Sequence, residues 1–218
     1  MGNLPALRLG GRRGAAAPLI LAPLEGITTS CYRRVLQRRC GGFDGAIAPF
    51  IGTIRSARRY DYHLRDILPE RAAAGLPLIP QVLGSDPEGI RYVARACSEL
   101  GYTQLNWNIG CPIPNIVRKR RGSGILPHPE MVARVLDEIR APGFPAFSVK
   151  LRTGLEESGE SLGLQPLFNS SGLDFLVLHP RTGRQMYTGS ADRNTYAAFL
   201  SGSRHPLAWS GDIVSRVQ

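Results

Sequence analysis

The sequence predicts an α/β fold in which parallel strands alternate with helices. Short apolar runs recur between helical patterns along most of the chain, and each run is continuously apolar, as strands buried on both faces are. No Gly-x-Gly-x-x-Gly turn follows the first strand, which disfavours an open doubly wound sheet that binds a dinucleotide. A (β/α)8 TIM-type barrel fits better. Seven strands are predicted where a barrel has eight, so the barrel is expected to be incomplete at its C-terminal end.

The N-terminal residues 1–17 predict a tail. Arginines and small residues precede Pro18 without the apolar core of a signal peptide. Residues 18–218 are predicted to form one barrel domain. Its predicted strands are residues 19–22, 45–50, 77–82, 104–108, 145–151, 173–178 and 206–209.

Helices are predicted between these strands from apolar periodicity and from residues that start or stop a helix. They are residues 28–39, 86–100, 129–140, 162–169 and 192–200, with a basic helix or loop around 55–65. Thr28 or Thr29 is the expected N-cap of the first helix. Ser85 or Asp86 is expected to cap the second helix and Gly101 to end it.

The composition is that of a globular protein with a basic surface. Hydrophobic residues make up 43% and charged residues 20%, which excludes wholesale disorder, and no apolar run is long enough to cross a membrane. The net charge is +10, with 27 basic and 17 acidic residues. Such an excess favours a polyanionic partner such as nucleic acid. Because only Lys119 and Lys150 are lysines, an arginine-rich composition is the alternative explanation.

The four cysteines, at positions 31, 40, 97 and 111, show neither a zinc-binding spacing nor a Cys-x-x-Cys pair. They predict a reduced, cytoplasmic protein without a metal site. Cys31 and Cys97 fall within predicted helices and are interpreted as core residues. Cys111 stands between glycine and proline after a predicted strand. A thiol there can act as an acid or a nucleophile, and structural packing is the alternative.

Polar residues stand at the C-terminal ends of several predicted strands or just after them, where the chemistry of a β/α barrel takes place. They are Glu25, Gln81, Asn106, Asn108, Lys150, Arg152, His179 and Arg181. Any one of these residues is weak evidence, but together they predict a site on one rim. A basic run, Arg118, Lys119, Arg120 and Arg121, follows Cys111 and precedes Gly122-Ser123-Gly124. This run predicts a phosphate-rich substrate, and the glycines predict a loop that can close over it.

The sequence resembles the tRNA-dihydrouridine synthases, a family of FMN-binding β/α barrels. The matching segments occur in the family's order at residues 22–28, 81–84, 106–112, 122–124, 149–154, 179–189 and 210–213. The resemblance implies that NADPH reduces FMN, that a hydride passes to C6 of a uracil in tRNA, and that Cys111 gives a proton to C5. It further implies a monomer with FMN and NADPH as cofactors and tRNA as partner.

The resemblance also implies roles for individual residues. The expected flavin contacts are Pro23, Leu24, Glu25, Gln81, Lys150, His179, Ser210, Gly211 and Asp212, with Gln81 on the isoalloxazine edge and Lys150 beside N1 and O2. The expected substrate contacts are Asn108, Arg118, Lys119, Arg120, Arg121, Arg152 and Arg181. The substrate base must leave its stack to reach the flavin, so basic residues are expected to hold the flanking phosphates.

The sequence departs from the family pattern at three residues and at its end. Leu24 replaces methionine, Pro180 interrupts His-Gly-Arg-Thr, and Ser210 replaces asparagine. The family's last-strand phosphate segment and its helical tRNA-binding domain have no counterpart in the sequence, which predicts weakened FMN affinity. Two other functions stay open: an FMN barrel that acts on a free pyrimidine, and an RNA-binding remnant without catalysis.

Overall fold

The computed structural model describes residues 4, 6–7, 17–53, 64–71, 75–141, 143 and 145–214. The chain divides into two compact units. The first comprises Met1–Asn106 with Gly143–Ala146, and the second comprises Trp107–Pro142 with Phe147–Gln218. Most of the basic segment predicted around 55–65 lies outside the described residues.

In the first unit three strands pair in parallel and in chain order: β1 (Ile20–Leu21), β2 (Gly45–Gly52) and β3 (Leu78–Leu83). Helix α1 (Ser30–Arg39) follows β1, and helix α2 (Pro87–Glu99) follows β3. A short 3-10 helix, Pro69–Arg71, precedes β3. All six residues of β3 are buried, which confirms the prediction of a strand covered on both faces.

Strand β4 (Gln104–Ile109) belongs to the first unit up to Asn106 and to the second from Trp107. The second unit then holds two further parallel pairs, made by β5 (Ala146–Gly154), β6 (Phe175–Thr182) and β7 (Leu207–Trp209). Its helices are α3 (Pro114–Val117), α4 (Pro129–Ile139), α5 (Gln165–Asn169) and α6 (Arg193–Gly202). Two 3-10 helices, Gly122–Ile125 and Glu160–Leu164, complete it. The described residues thus hold seven strands, the predicted number, and the class is an incomplete β/α barrel.

The cap predicted for α2 is confirmed, and Thr29 stands at the N-cap position of α1 as predicted, although its side chain does not make the capping bond. The Asp86 carboxylate accepts from the N–H of Gly89 at 3.1 Å, and Gly101 follows the helix with a φ of 89°. Thr29 makes no capping hydrogen bond, and the Thr28 hydroxyl accepts instead from the N–H of Leu24. The start of α1 is capped from elsewhere: Asp66 accepts from the N–H of Ser30 at 2.5 Å.

Two expectations about burial are also corrected. Cys97 is buried on α2 as predicted, but Cys31 is exposed on α1, because it lies on the solvent face of that helix. The expected tail of residues 1–17 includes a docked residue, Leu7, whose side chain is 5% exposed. Its backbone N–H and C=O both pair with the side-chain amide of Gln104, at 2.6 and 2.7 Å.

Candidate active site

The loop that carries Cys111 is shaped by the side chain of Asn108. The Oδ1 atom of Asn108 accepts hydrogen bonds from the backbone N–H groups of Gly110 at 3.1 Å and Cys111 at 2.9 Å. Asn108 is the fifth residue of β4, so a rigid strand fixes this acceptor. The loop turns tightly around one amide oxygen and leaves Cys111 half-buried.

The Gly122–Ile125 turn packs against the other side of Cys111. The N–H and the hydroxyl of Ser123 donate to the Cys111 carbonyl at 2.9 and 3.1 Å. A Cβ on Gly122 would overlap that carbonyl and lie 2.9 Å from the Cβ of Cys111. A Cβ on Gly183 would likewise lie 2.6 Å from the Ser123 hydroxyl. The expectation that these glycines make a flexible closing loop is wrong: they are buried and allow close packing.

Strands β5 and β6 are longer than predicted at their C-terminal ends. Arg152, His179 and Arg181 therefore lie within the strands and not after them, and Lys150 lies within β5 as predicted. In the parallel register Arg152 stands beside His179. Both are buried, at 2% and 6% exposure, which sequence alone does not indicate for charged or polar residues at a strand end.

Lys150 is a half-buried cation whose pKa is lowered to about 8. The main cause is desolvation, which disfavours the charged ammonium, and the positive charge of Arg152 adds to it. The thiol of Cys111 acts in the opposite direction, because its negative form would favour the charged lysine. Lys150 and Cys111 are therefore electrostatically coupled within the second unit.

The guanidinium of Arg152 is bonded to the backbone of the site. Its Nε donates to the Gly110 carbonyl at 2.9 Å, and one Nη donates to the carbonyls of Thr182 at 2.8 Å and Met186 at 2.6 Å. The guanidinium also lies 5.4 Å from the centre of the Tyr187 ring, a cation–π distance. Arg152 was predicted to contact substrate; its observed contacts tie the Cys111 loop to the segment after β6.

Arg181, a buried arginine of β6, is likewise bonded within the chain. It pairs with both carboxylate oxygens of Asp212, at 3.0 and 2.6 Å, and donates to the carbonyls of Thr188 and Gly189. Its Nη1 lies 3.2 Å from the Nε2 of His179. Arg181 was predicted to contact substrate; its observed bonds hold the segment after β6 and the segment after β7.

Tyr187 is a site residue that the sequence analysis missed. Its side chain is 66% exposed, although it touches Arg152 and stands 6.2 Å from the His179 ring. The preceding residue, Met186, has a φ of 50°, a left-handed conformation that is costly for a residue with a side chain. Arg152 holds the Met186 carbonyl in this conformation. A tyrosine in a polar segment carries no sequence signal for such a placement.

The segment 210–212, predicted to contact cofactor, continues from β7 and packs on His179. The N–H of Ser210 donates to the Leu178 carbonyl at 3.0 Å, which extends the strand pairing by one bond. A Cβ on Gly211 would lie 2.8 Å from the Nε2 of His179. Asp212 has a φ of 53° and is half exposed, and its hydrogen bond to Arg181 lowers the pKa of its carboxyl.

His179 has its pKa lowered to about 3. Desolvation is the largest cause, followed by the positive charges of Arg152, Lys150 and Arg181, while Asp212 opposes them. The side chain is therefore a neutral imidazole at physiological pH.

In the first unit, the loop Pro23-Leu24-Glu25, which was predicted to contact the flavin, follows β1. Hydrogen bonds to residues further along the chain hold this loop. Thr28 is buried and accepts from the N–H of Leu24 at 2.8 Å. The buried Arg33 donates to the Thr28 carbonyl at 2.7 Å and to the Asp66 carboxylate at 2.8 Å. Leu24 is exposed at 42%, and the pKa of Glu25 is raised by partial burial and by the charge of Asp66.

Gln81 lies in β3 and is fully buried. Its side-chain N–H donates to the Oδ1 of Asn106 at 2.7 Å, within the same unit. The side-chain amides of Gln81 on β3 and Asn106 on β4, two strands that are consecutive along the chain, thereby orient one another.

The basic run lies on the surface after α3. Arg118, Lys119 and Arg120 are exposed and Arg121 is half-buried. Arg118 hydrogen-bonds the Asn115 side chain, and Arg120 has a φ of 51°. The run follows Cys111 by seven residues and the two share the second unit.

Neither a metal centre nor a membrane span is found in the part of the chain that the structure describes. No three His, Cys, Asp or Glu side chains there are grouped to hold a metal ion. No helix among the described ranges combines the length and apolar character needed to cross a bilayer.

Comparison with solved structures identifies the class of fold. An old yellow enzyme homologue from Zymomonas mobilis superimposes with a TM-score of 0.62 and 12% identity, covering 98% of this chain and 83% of that chain. At this identity the likeness concerns the fold alone, and it agrees with an incomplete β/α barrel.

Comparison of sequences identifies the family. The family model described as dihydrouridine synthase (Dus) matches residues 20–216, so the chain belongs to the dihydrouridine synthase family. A tRNA-dihydrouridine(16) synthase from Cupriavidus necator is 30% identical over 201 residues, covering 89% of this chain and 62% of the relative. A tRNA-dihydrouridine synthase B from Pseudomonas aeruginosa is 30% identical over 200 residues, covering 90% of this chain and 58% of the relative. The chain thus spans about three fifths of the length of these curated relatives.

Proposed function

We propose that this chain carries the chemistry that reduces a uridine of tRNA to 5,6-dihydrouridine. The observation that supports this most directly is the held thiol of Cys111, half-buried and electrostatically coupled to Lys150. Family membership supplies the reaction class, and the names of the relatives supply tRNA as their substrate.

The cofactor proposed for this reaction is FMN, with NADPH as the reductant. The side chains of β5 and β6 fit the pyrimidine edge of a flavin, which presents acceptor atoms and gains negative charge on reduction. Lys150 offers a cation, and the neutral His179 offers one ring N–H. Bound FMN would supply the hydride that reaches C6 of the uracil. The predicted contacts from Gln81 and from Pro23-Leu24-Glu25 stay part of this proposal.

Cys111 is proposed to complete the reduction as a general acid. The S–H bond breaks, its proton goes to C5 of the uracil, and the electron pair stays on sulfur as a thiolate. Hydride at C6 and proton at C5 together saturate one double bond, so atoms and electrons balance. Lys150 stabilises the thiolate, because the two groups interact favourably when oppositely charged. Asn108 acts by holding the loop, and its bonds to Gly110 and Cys111 fix where the thiol stands.

The basic surface after α3 is proposed to bind the phosphates that flank the target base. A base that reacts with the half-buried thiol must leave its stack, and contacts to the RNA backbone must offset the cost of unstacking. Arg118, Lys119 and Arg120 are exposed cations suited to this role.

The test is single-turnover reduction of tRNA by the chain reconstituted with FMN and prereduced with NADPH. In Cys111→Ala, flavin reduction by NADPH should stay unchanged, because that step does not use the thiol. Oxidation of the flavin by tRNA should slow by about 10²–10⁴-fold, the usual contribution of a general acid.

Cys31→Ala is the matched control, since it removes an exposed thiol on α1. It should leave both steps unchanged. An unaltered rate of tRNA reduction in Cys111→Ala would remove the residue from the mechanism. Tight tRNA binding by a chain that takes up no flavin would favour the alternative of an RNA-binding protein without catalysis.

A further inference from the structure

His179 and Arg181 stand in a geometry that determines which imidazole nitrogen carries the proton. The Nη1 of Arg181 lies 3.2 Å from the Nε2 of His179. A guanidinium has only donors, so the Nε2 must present its lone pair to it. A neutral imidazole with a lone pair on Nε2 carries its proton on Nδ1. The Nδ1 makes no hydrogen bond to any residue in the described ranges.

We propose that Arg181 is a positioning residue that fixes His179 in the Nδ1–H tautomer, so that His179 donates a hydrogen bond to a carbonyl oxygen or ring nitrogen of a bound heteroaromatic ligand. That the ligand is a flavin rests on the proposed function. The tautomer itself does not depend on it.

Arg181 is suited to this role because its own orientation is fixed. Its side chain is buried, and all three guanidinium nitrogens are bonded: Nε to Thr188, one Nη to Asp212 and His179, and the other to Gly189 and Asp212. Rotating the guanidinium away from His179 would break the paired bonds to Asp212. A bidentate pair of this kind keeps the fork of donors in one plane.

The imidazole ring is also held sterically. Gly211 leaves so little room that a Cβ there would lie 2.8 Å from Nε2 and 2.9 Å from the neighbouring Cδ2. The ring of Tyr187 also lies near the imidazole, with 6.2 Å between the two ring centroids. A ring flip would exchange Nδ1 with a carbon and lose the bond from Arg181, so the packing and the hydrogen bond favour the same orientation.

The charges around His179 keep it neutral, which a defined tautomer requires. Lys150 and Arg152 face it from β5, Arg181 from its own strand, and Asp212 from the segment after β7. Three of these four groups are cationic. With burial, they lower the pKa of His179 to about 3.

The test is nitrogen-15 NMR of the histidine side chains in the full chain at neutral pH, without added ligand. The sequence has four histidines, so His179→Gln identifies the signals of His179. The expected spectrum shows a protonated Nδ1 and an unprotonated Nε2. In Arg181→Met the two nitrogens should move toward a mixture of tautomers, and the pKa of His179 should rise. Arg181→Lys, which keeps a donor, should restore the Nδ1–H form in part.

Arg184→Met is the matched control, because Arg184 is exposed and pairs with Glu156 away from His179. It should leave the spectrum unchanged. A protonated Nε2 in the unmodified chain overturns the proposal, and this outcome does not depend on whether Arg181→Met folds. An unchanged tautomer in an Arg181→Met variant that folds also overturns the proposal. Titration with FMN then tests the ligand: a shifted Nδ1 signal supports a flavin acceptor, and FMN binding without such a shift overturns that half of the proposal.

Discussion

The backbone N–H of Cys111 and the side-chain Oδ1 of Asn108 are 2.9 Å apart, so the last buried side-chain amide of β4 fixes the backbone that carries the Cys111 thiol. The same oxygen also accepts from Gly110. One side chain therefore satisfies two consecutive N–H groups of the loop.

Asn108→Ala removes this acceptor from both N–H groups. We expect a loss of about 1–3 kcal/mol in the free energy of unfolding, the cost of leaving buried donors unpaired. We also expect Cys111 to be alkylated several-fold faster, because the loop is less restrained. Urea denaturation and mass-resolved alkylation measure the two effects. Asn108→Asp keeps the oxygen and should regain most of the stability; an equal loss in both variants would contradict this role of Oδ1.

Arg33→Met breaks the buried ion pair with Asp66 under the loop that follows β1. Removing one partner of such a pair costs about 3–5 kcal/mol, because the other charge stays partly buried. We expect a loss near the lower figure, since Asp66 keeps 23% of its side-chain exposure. Thermal or urea unfolding measures it. The neighbouring Arg34 is exposed, and Arg34→Met should change stability by less than about 0.5 kcal/mol. Similar losses in the free energy of unfolding in the two variants would show that the Arg33–Asp66 pair does not contribute to stability beyond an exposed arginine.

Lys150 makes the stability of the chain depend on pH in the alkaline range. Its pKa is about 8 in the folded chain against 10.5 as the ordinary value. Between these values the unfolded chain binds the extra proton, so this lysine makes stability rise as pH increases from about 8 to 10.5. Below pH 8 it is charged in both states and opposes folding. Lys150→Met should therefore be more stable than the unmodified chain at pH 7, and the difference should shrink toward pH 10.5. A difference that stays constant over this range would show that Lys150 is not desolvated.

If the exposed cations after α3 bind RNA phosphates, they should make the affinity for tRNA fall as the salt concentration rises. Replacing Arg118, Lys119 and Arg120 together by glutamine should weaken tRNA binding and lower the slope of log K against log salt. Each lost phosphate contact lowers that slope by about 0.7–0.9. Filter binding at several salt concentrations measures it. Arg140→Gln is the control, because Arg140 is already paired with Asp137. An unchanged slope in the triple variant would place the RNA elsewhere.

The strands could be predicted because they depend on local sequence. Continuous apolar runs located all seven strands within a few residues, and Asp86 and Gly101 located the ends of α2. Cys111 could be singled out because a cysteine between glycine and proline after a strand is an unusual local pattern.

What the sequence could not predict depends on contacts between distant residues. Asp66 caps α1 from 36 positions away, and nothing near Ser30 indicates it. The donors of Arg152 reach carbonyls 30 to 42 positions away and those of Arg181 reach carbonyls 7 to 8 positions away, contacts that the sequence does not indicate. The sequence does not distinguish an exposed arginine from a buried arginine that donates to backbone carbonyls, because the difference depends on where the folded backbone places those carbonyls. The exposure of Cys31 was missed for the related reason that helix periodicity does not state which face is covered.

The close approach of Gly122, Ser123 and Gly183 to one another and to Cys111 has a consequence for laboratory evolution of this chain. A Cβ at either glycine would meet the backbone of the thiol loop or the Ser123 hydroxyl, and Gly122 has a φ of 55° besides. Saturation mutagenesis should find these two positions almost closed to change, while the exposed neighbours Lys119 and Arg184 accept most residues. Variants selected for a different substrate should therefore gain it through the exposed side chains around this turn, while the turn itself keeps its smallest residues.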